Sequence, residues 1–399
     1  MVFGETGILN MPSWSFTSVP MLINKAWHAA TLIVGGPLNG YPLISGGTTT
    51  FYGPASAAID YELYSPSTDT WGLPAIMLSI RTMHTSTRLN DGCVLIVGGA
   101  SDPTGFTVTT ACEIYDPAFP SMAQPRGSLH DARFLHNAVL LPNGKVLVIG
   151  GAGPFGSPLN TCELYDPTTG LWTYTGTLHD ARAGQSSVLL TTGKVLTAGG
   201  QGFAGAISSC ELYDPSTGLW TYTQNLPSAR WNAGLIPLNN GKTLSVGGQL
   251  ASTALAVCYL YNSATGTWAS TGSLHTGRYA HASVLLNDGR VMTTGGYSAP
   301  AGGYLGSTEI YDQTTESWTA DSSLNTARSN HTMTVLSSGN VLVAGGLTSG
   351  SYLASAELYV LAIPPTTINL SDSIGLGEWY SSTPTHADVW TNKDSTELI

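Results

Sequence analysis

Charged residues are scarce in this chain, and most of them are acidic. Only 10% of the 399 residues are charged; 14 are Lys or Arg and 25 are Asp or Glu, for a net charge of −11. Nucleic acids and anionic membranes are bound through basic surfaces, so this composition excludes both as general partners. No uninterrupted apolar run reaches the roughly 18 residues that a spanning helix needs, so we expect no membrane insertion.

A secretory leader is another feature that the sequence does not show. Residues 1–20 have neither a basic start nor a continuous apolar stretch, so we do not expect a cleaved signal peptide there. The cellular location stays open between the outside of a cell or virion, which we favour, and the cytoplasm.

Cysteine is sparse, and its placement argues against disulfides and metal sites. Four of the five cysteines occupy one repeated position, namely Cys112, Cys162, Cys210 and Cys258. Equivalent positions in neighbouring repeats should lie farther apart than a disulfide allows. A zinc-binding C-x-x-C pair is also missing from the sequence. We therefore expect small buried side chains here, no metal and no other cofactor.

Glycine, by contrast, is abundant and regularly spaced. Seven Gly-Gly pairs lie 48 to 52 residues apart. They are Gly46-Gly47, Gly98-Gly99, Gly150-Gly151, Gly199-Gly200, Gly247-Gly248, Gly295-Gly296 and Gly345-Gly346. A period of about 50 residues is typical of a propeller with four-stranded blades.

A tyrosine and then a tryptophan follow most of the glycine pairs. The tryptophans of five repeats are Trp71, Trp172, Trp220, Trp268 and Trp318. The seventh repeat has no tryptophan after Tyr359, whereas Trp14 stands near the start of the chain. We therefore predict that residues 12–19 form the outer strand of the last blade and close the ring. The second repeat lacks its tryptophan after Asp116, so we expect a short or irregular outer strand there.

This order of Gly-Gly, Tyr and Trp resembles the kelch repeat over residues 11–360. The resemblance implies an all-β, seven-bladed kelch-type β-propeller of four-stranded antiparallel blades at residues 1–363, closed by the N-terminal strand. Residues 364–399 have no kelch markers but contain Trp379, Tyr380 and Trp390. We predict that this C-terminal tail docks on the propeller or contacts a partner in a homo- or hetero-assembly.

The fuller phrase from Leu129 to Arg133 resembles microbial kelch proteins related to the central domain of galactose oxidase. That family binds copper through a Tyr-His dipeptide, among other ligands, and crosslinks a tyrosine to a cysteine. No tyrosine of this chain is followed directly by histidine. The resemblance therefore implies the scaffold only, and we expect no oxidase activity.

Seven of the 14 basic residues stand where each innermost strand should begin. They are Lys25, Arg81, Arg133, Arg182, Arg230, Arg278 and Arg328. Six glutamates start the third strands on the same face: Glu62, Glu113, Glu163, Glu211, Glu309 and Glu357. Either these charges pair with one another, or some arginines point into the channel mouth and bind a ligand. Blade 5 has Tyr259 in place of the glutamate, which makes Arg230 the best candidate for a free cation.

Histidines and aromatic residues follow several of these cations. Five repeats place histidine three residues after the cation, at His28, His84, His136, His281 and His331. Such histidines are more often structural than ligands of a metal. The candidate ligand-binding residues are Arg133, Phe134, Arg230, Trp231, Arg278, Tyr279, His281 and Arg328. No set of residues suggests a catalytic site.

These features favour a non-enzymatic recognition or assembly module, which is compatible with a structural part of a virion or cell surface. It would bind a glycan or a protein through the loops around the channel mouth, where aromatic side chains stand beside hydrogen-bonding groups. The alternative is a carbohydrate-active hydrolase or lyase that uses the arginines, His281 and Tyr279 of the mouth.

Overall fold

Each Gly-Gly repeat folds into one four-stranded antiparallel sheet, and seven such sheets form a propeller. The computed structural model describes residues 12–50, 57–102 and 107–361. The strands of each blade are given from the innermost outwards. Blade 1 consists of Ala29–Leu32, Pro42–Ser45, Asp60–Ser65 and Thr70–Ile76, and blade 2 of Thr85–Arg88, Val94–Val97, Cys112–Tyr115 and Ala123–Arg126. Blade 3 consists of Asn137–Leu140, Val146–Ile149, Cys162–Asp166 and Leu171–Tyr174, and blade 4 of Ser186–Leu189, Val195–Ala198, Cys210–Asp214 and Leu219–Thr223. In the same order, blades 5 to 7 consist of Gly234–Pro237, Lys242–Val246, Tyr259–Asn262 and Thr267–Ser270; Ala282–Leu285, Val291–Thr294, Thr308–Asp312 and Ser317–Asp321; and Thr332–Val335, Val341–Ala344, Ala356–Val360 and Ser13–Phe16. The predicted seven-bladed, all-β propeller is confirmed.

Short elements occupy the loops after the glycine pairs of blades 3 to 7. Four loops form two-stranded hairpins, which pair Gln201–Gly202 with Gly205–Ala206, Gln249–Leu250 with Thr253–Ala254, Tyr297–Ser298 with Gly303–Tyr304, and Leu347–Thr348 with Ser351–Tyr352. Two 3-10 helices lie at Pro154–Gly156 and Ala299–Ala301. Among the described residues we find no helix whose length and apolar character would let it span a bilayer.

The N-terminal strand closes the ring, as predicted. Ser13–Phe16 pairs with Ala356–Val360, and Trp14 lies opposite Tyr359. The Trp14 indole nitrogen donates a hydrogen bond of 3.1 Å to the Thr308 hydroxyl of blade 6. Because the innermost strands also contact their neighbours all round the ring, the first and last blades are joined like any other pair.

The hydrophobic core lies between the blades, and the second strand of each blade supplies much of it. In blade 3, Val146 and Val148 pack towards blade 2, whereas Leu147 and Ile149 pack towards blade 4. Successive side chains of a strand point to opposite faces, so an apolar strand of this kind is covered on both sides. This packing explains why the residues before the Gly-Gly pairs of blades 2, 3 and 7 are apolar without alternation.

Blade 2 tolerates the loss of its tryptophan. Ala123 takes the place of that residue opposite Tyr115, and the ring of Tyr61 from blade 1 packs on Tyr115 with centroids 5.0 Å apart. The outer strand Ala123–Arg126 pairs in unbroken register although it contains Pro125. The irregularity that we expected in this strand is therefore not found.

The prediction that the repeated cysteines are buried and form no disulfide is confirmed, and the tail prediction is untested. All five cysteines are free thiols, and the four at the repeated position are buried. The predicted tail at residues 364–399 and the first eleven residues of the predicted 1–363 domain lie outside the described residues.

Candidate binding site at the channel mouth

The seven cations at the starts of the innermost strands are buried inside the propeller. Their exposed fractions are 0 to 1%, and this holds for Lys25, Arg81, Arg133, Arg182, Arg230, Arg278 and Arg328. The hypothesis that Arg133, Arg230, Arg278 and Arg328 reach into the mouth is therefore wrong. The alternative, that the cations pair with the glutamates, describes six of the seven blades.

Each arginine ties together three segments of its blade. In blade 6, one terminal nitrogen of Arg278 donates to the carbonyl oxygens of Gly295 and Ser307 at 2.9 and 2.8 Å. The other donates to the Glu309 carboxylate at 2.7 Å. The same carboxylate accepts the backbone N–H groups of His275 and Thr276, which precede the arginine. A buried charge needs such partners, so these residues hold the loops in place.

Blade 5 lacks the carboxylate, but Arg230 is still fully engaged. Its guanidinium lies 4.8 Å from the centroid of the Tyr259 ring. It donates to the carbonyls of Gly247 and Val257 at 2.7 and 2.9 Å and to the Ser228 hydroxyl at 2.8 Å. Burial lowers the pKa of Arg230. Arg230 is thus a structural cation held by carbonyls and an aromatic face.

The glycine pairs connect neighbouring blades through the backbone of these cations. The second glycine of each pair donates its N–H to the carbonyl oxygen of the next blade's cation, and Gly346 donates to Lys25 at 2.8 Å to complete the circle. The first glycine lies so close to that carbonyl that a side chain does not fit. At Gly295, where φ is +63°, a Cβ atom would stand 2.6 Å from the Arg328 oxygen.

A second backbone circle surrounds the channel two residues after each cation. All seven residues at this position have positive φ, namely Trp27, Met83, Leu135, Gly184, Asn232, Ala280 and Asn330. Six of them donate an N–H hydrogen bond to the equivalent residue of the preceding blade, for example Trp27 to Asn330 at 3.1 Å. The left-handed conformation is unfavourable for residues such as Trp27 and Leu135, so the ring geometry must impose it.

The mouth of the channel is a cavity of about 350 Å³ with an uncharged lining. Trp27, Met83 and Leu135 line one part, whereas Asn232 and Asn330 line another. Among the described residues in its wall there is no Asp, Glu, Lys or Arg. The site can therefore offer shape, apolar surface and neutral hydrogen bonds, but no formal charge.

The histidines of the wall are neutral at physiological pH. Burial, together with a nearby cation, lowers the pKa of His28, His136 and His281 to about 3. His28 and His136 each share a hydrogen bond of 2.9 Å between Nε2 and a threonine hydroxyl of the preceding blade. Such histidines bring no positive charge to the mouth at neutral pH.

The predicted aromatic residues divide between core and surface. Phe134 is buried with Ala100, Ala152 and Ala183, so it does not face a ligand. Trp231 is half-buried, and its ring lies close to Gly184 at the mouth. Tyr279 is half-buried in a cluster of tyrosines: its ring packs 5.6 Å from that of Tyr297, which packs 5.2 Å from Tyr304.

The aromatic residues continue onto blade 1. Trp27 packs edge-on against Tyr352 with ring centroids 6.2 Å apart, and Tyr304 contacts the same cluster. We name Tyr279, Tyr297, Tyr304, Tyr352 and Trp27 the aromatic sector of the mouth. It covers blades 6, 7 and 1, so the mouth is asymmetric although the scaffold repeats.

Comparisons with known proteins agree with this architecture. Residues 133–179 and 182–227 match the model of the Kelch motif. Among solved structures, a "Novel fungal alcohol oxidase with catalytic diversity among the AA5 family, in complex with copper" shares the fold, with a TM-score of 0.71 and 17% identity over 94% of this chain and 81% of that chain. No curated protein matches the sequence.

The side chains of this chain do not fit a copper centre like the one implied by that oxidase. In the described ranges no three His, Cys, Asp or Glu side chains converge on a point where they would hold a metal ion. The channel histidines stand on separate blades. The likeness concerns the scaffold, and by its repeats and its fold this chain is a seven-bladed β-propeller of the kelch type.

Proposed function

We propose that this chain is a non-enzymatic recognition module that binds a protein partner through the loops around the channel mouth. The uncharged cavity beside the aromatic sector carries this proposal. Tyrosine and tryptophan present large contact areas with few rotatable bonds, which is why they dominate many protein interfaces. The kelch repeats support a role in protein interaction as well.

The enzyme alternative loses the groups on which it depended. Arg278 and Arg328 have their donors occupied by carbonyl and carboxylate oxygens. Burial lowers the pKa of His281 to about 3, so at neutral pH it is a poor base and is not in the imidazolium form that acts as a general acid. Neither anion binding nor proton transfer can be assigned to this cluster.

A glycan is the second candidate ligand, and the aromatic sector is the specific observation in its favour. Three half-buried tyrosines stand together beside the mouth, each with a hydroxyl group at its edge. Sugars combine apolar C–H faces with hydroxyls, and this surface offers partners for both.

Binding selections with the full chain would test the proposal. The chain would be presented to a random peptide library and to a glycan array, and affinities would be measured for the ligands selected. We expect Tyr279→Ala with Tyr304→Ala to weaken peptide binding at least tenfold, as for interface hot spots. Lys194→Ala, an exposed change in a hairpin turn on the opposite face, is the control and should bind like the wild type.

Binding that is unchanged in the tyrosine variant would exclude the aromatic sector. If only glycans are selected, and if the tyrosine variant binds them more weakly, the ligand of this site would be a glycan and not a protein.

A further inference from the structure

Blade 3 carries an exposed stack of a tyrosine and a histidine at its outer edge. His130 precedes the innermost strand, whereas Tyr174 ends the outer strand, and their ring centroids lie 4.6 Å apart at an angle of 31°. The His130 side chain is 45% exposed and Tyr174 is 53% exposed. Asp131 stands beside them and is partly exposed.

Blade 4 repeats this arrangement with the same geometry. His179 packs on Tyr222 with centroids 4.6 Å apart at 33°, and Asp180 takes the place of Asp131. We call the two groups, His130–Asp131–Tyr174 and His179–Asp180–Tyr222, the twin platforms. They occur on neighbouring blades, and His179, Tyr174 and Tyr222 lie within the segments that match the Kelch motif.

The aspartate of each platform presents partly exposed carboxylate oxygens, which accept hydrogen bonds. The Nδ1 atom of His130 lies 2.7 Å from one oxygen of Glu163, and the other oxygen accepts a hydrogen bond from Arg133. In the neutral tautomer that donates from Nδ1 to this carboxylate, the exposed Nε2 is an acceptor. Burial, together with the nearby Asp131 carboxylate, raises the pKa of Tyr174.

Each platform also has an uncompensated negative charge. In blade 3, the Arg133 guanidinium faces two carboxylates, those of Glu163 and Asp131, at 2.9 and 3.5 Å. In blade 4, Arg182 faces Glu211 and Asp180 at 2.8 and 3.7 Å. One cation against two anions leaves one negative charge per blade, in a chain whose net charge is −11.

We propose that the twin platforms bind guanidinium groups of a partner protein, one arginine side chain on each blade. An arginine supplies what these groups lack: a positive charge, several N–H donors, and a flat surface that stacks on aromatic rings. Neutral sugars fit less well, because their hydroxyls also need donors and gain nothing from the charge. This surface is separate from the mouth, so the inference does not depend on the proposed function.

Blade 6 provides a natural comparison within the same chain. His275 makes the same bond to Glu309, at 2.8 Å, but Thr276 stands in place of the aspartate. Ala320 stands opposite Glu309, where blades 3 and 4 have tyrosine. Blade 6 therefore keeps the histidine and lacks both the charge and the ring.

Fluorescence anisotropy with a labelled peptide of Arg-Gly-Gly repeats tests the proposal on the full chain. The same peptide with citrulline for arginine keeps the shape and removes the charge. We expect the arginine peptide to bind more tightly than the citrulline peptide. Its affinity should fall as salt is added. Tyr174→Ala with Tyr222→Ala should reduce its affinity about tenfold, from two lost cation–π contacts. Leu171→Ala with Leu219→Ala, on the same two strands and similarly exposed, is the matched control.

A gain of binding is the second arm, and it does not rely on removing a group. Thr276→Asp with Ala320→Tyr should build a third platform on blade 6 and tighten the binding of the peptide severalfold. Equal binding of the citrulline peptide, unchanged binding by the tyrosine variant, or a folded blade 6 variant with no gain would each overturn the proposal. Tyr279→Ala with Tyr304→Ala should leave this binding unchanged, which separates the platforms from the mouth.

Discussion

Arg278 and Tyr279 are neighbours in the sequence but lie in opposite environments. The guanidinium is buried and bonded to two carbonyls and a carboxylate, whereas the tyrosine ring is half-buried in the aromatic sector of the mouth. The same contrast separates the two kinds of position throughout the molecule. Positions that recur in every blade hold the scaffold together, and positions that differ between blades form the surfaces available to partners.

The largest effect expected from this contrast concerns acidic pH. Unfolded histidine has a pKa of about 6.5, whereas burial holds His28, His136 and His281 at about 3 in the folded chain. Below about pH 6.5 the histidines of the unfolded chain bind protons that the buried histidines of the folded chain do not bind. Stability should therefore fall between pH 6.5 and 3, by about 1.4 kcal/mol per pH unit for each histidine.

Urea unfolding across this pH range measures the slope. His136→Gln is the matched variant, because blade 4 already has Gln185 at this position. It should lower the slope of the free energy of unfolding against pH by the contribution of about one proton. The raised pKa values of Glu62 and Glu113 act in the opposite direction, but two glutamates oppose five histidines with lowered pKa values. Stability that stays constant down to pH 4 would contradict burial of the histidines in the channel wall.

The glycine pairs allow a sharper comparison at a single position. In Gly295→Ala the new methyl group would meet the Arg328 carbonyl, so we expect a loss of about 3 kcal/mol in the free energy of unfolding. Gly193→Ala is the control, since Gly193 also has positive φ but no atom near its side-chain position. It should lose only about 1 kcal/mol from backbone strain. Equal losses would mean that the close approach between blades is unimportant.

Much of the scaffold could be predicted from the sequence because its markers repeat. The glycine spacing gave the number of blades, and the displaced Trp14 identified the closing strand. The circle of positive φ values was missed, because residues such as Trp27, Met83 and Leu135 do not suggest that conformation. The twin platforms were missed because His130 and Tyr174 meet through Glu163, which pairs with Tyr174 across the strands and bonds the His130 ring.

The smallest effect on stability is expected in blade 5, where the ring of Tyr259 stands in place of the glutamate carboxylate of the other blades. Tyr259→Leu removes the aromatic face over Arg230 and should lower stability by about 1 kcal/mol. Tyr259→Glu supplies the carboxylate found in the other blades, so its stability should be close to that of the wild type. If the leucine variant is as stable as the wild type, the contact between the ring and Arg230 contributes nothing.

Urea unfolding of Arg278→Ala beside Tyr279→Ala tests the central contrast most directly. Removing the arginine leaves Glu309 as an unpaired buried charge, so we predict a loss of about 3–5 kcal/mol. Removing the adjacent half-buried tyrosine should cost no more than about 1 kcal/mol. A small loss at Arg278, or equal losses at the two residues, would contradict the account that the repeated cations are scaffold.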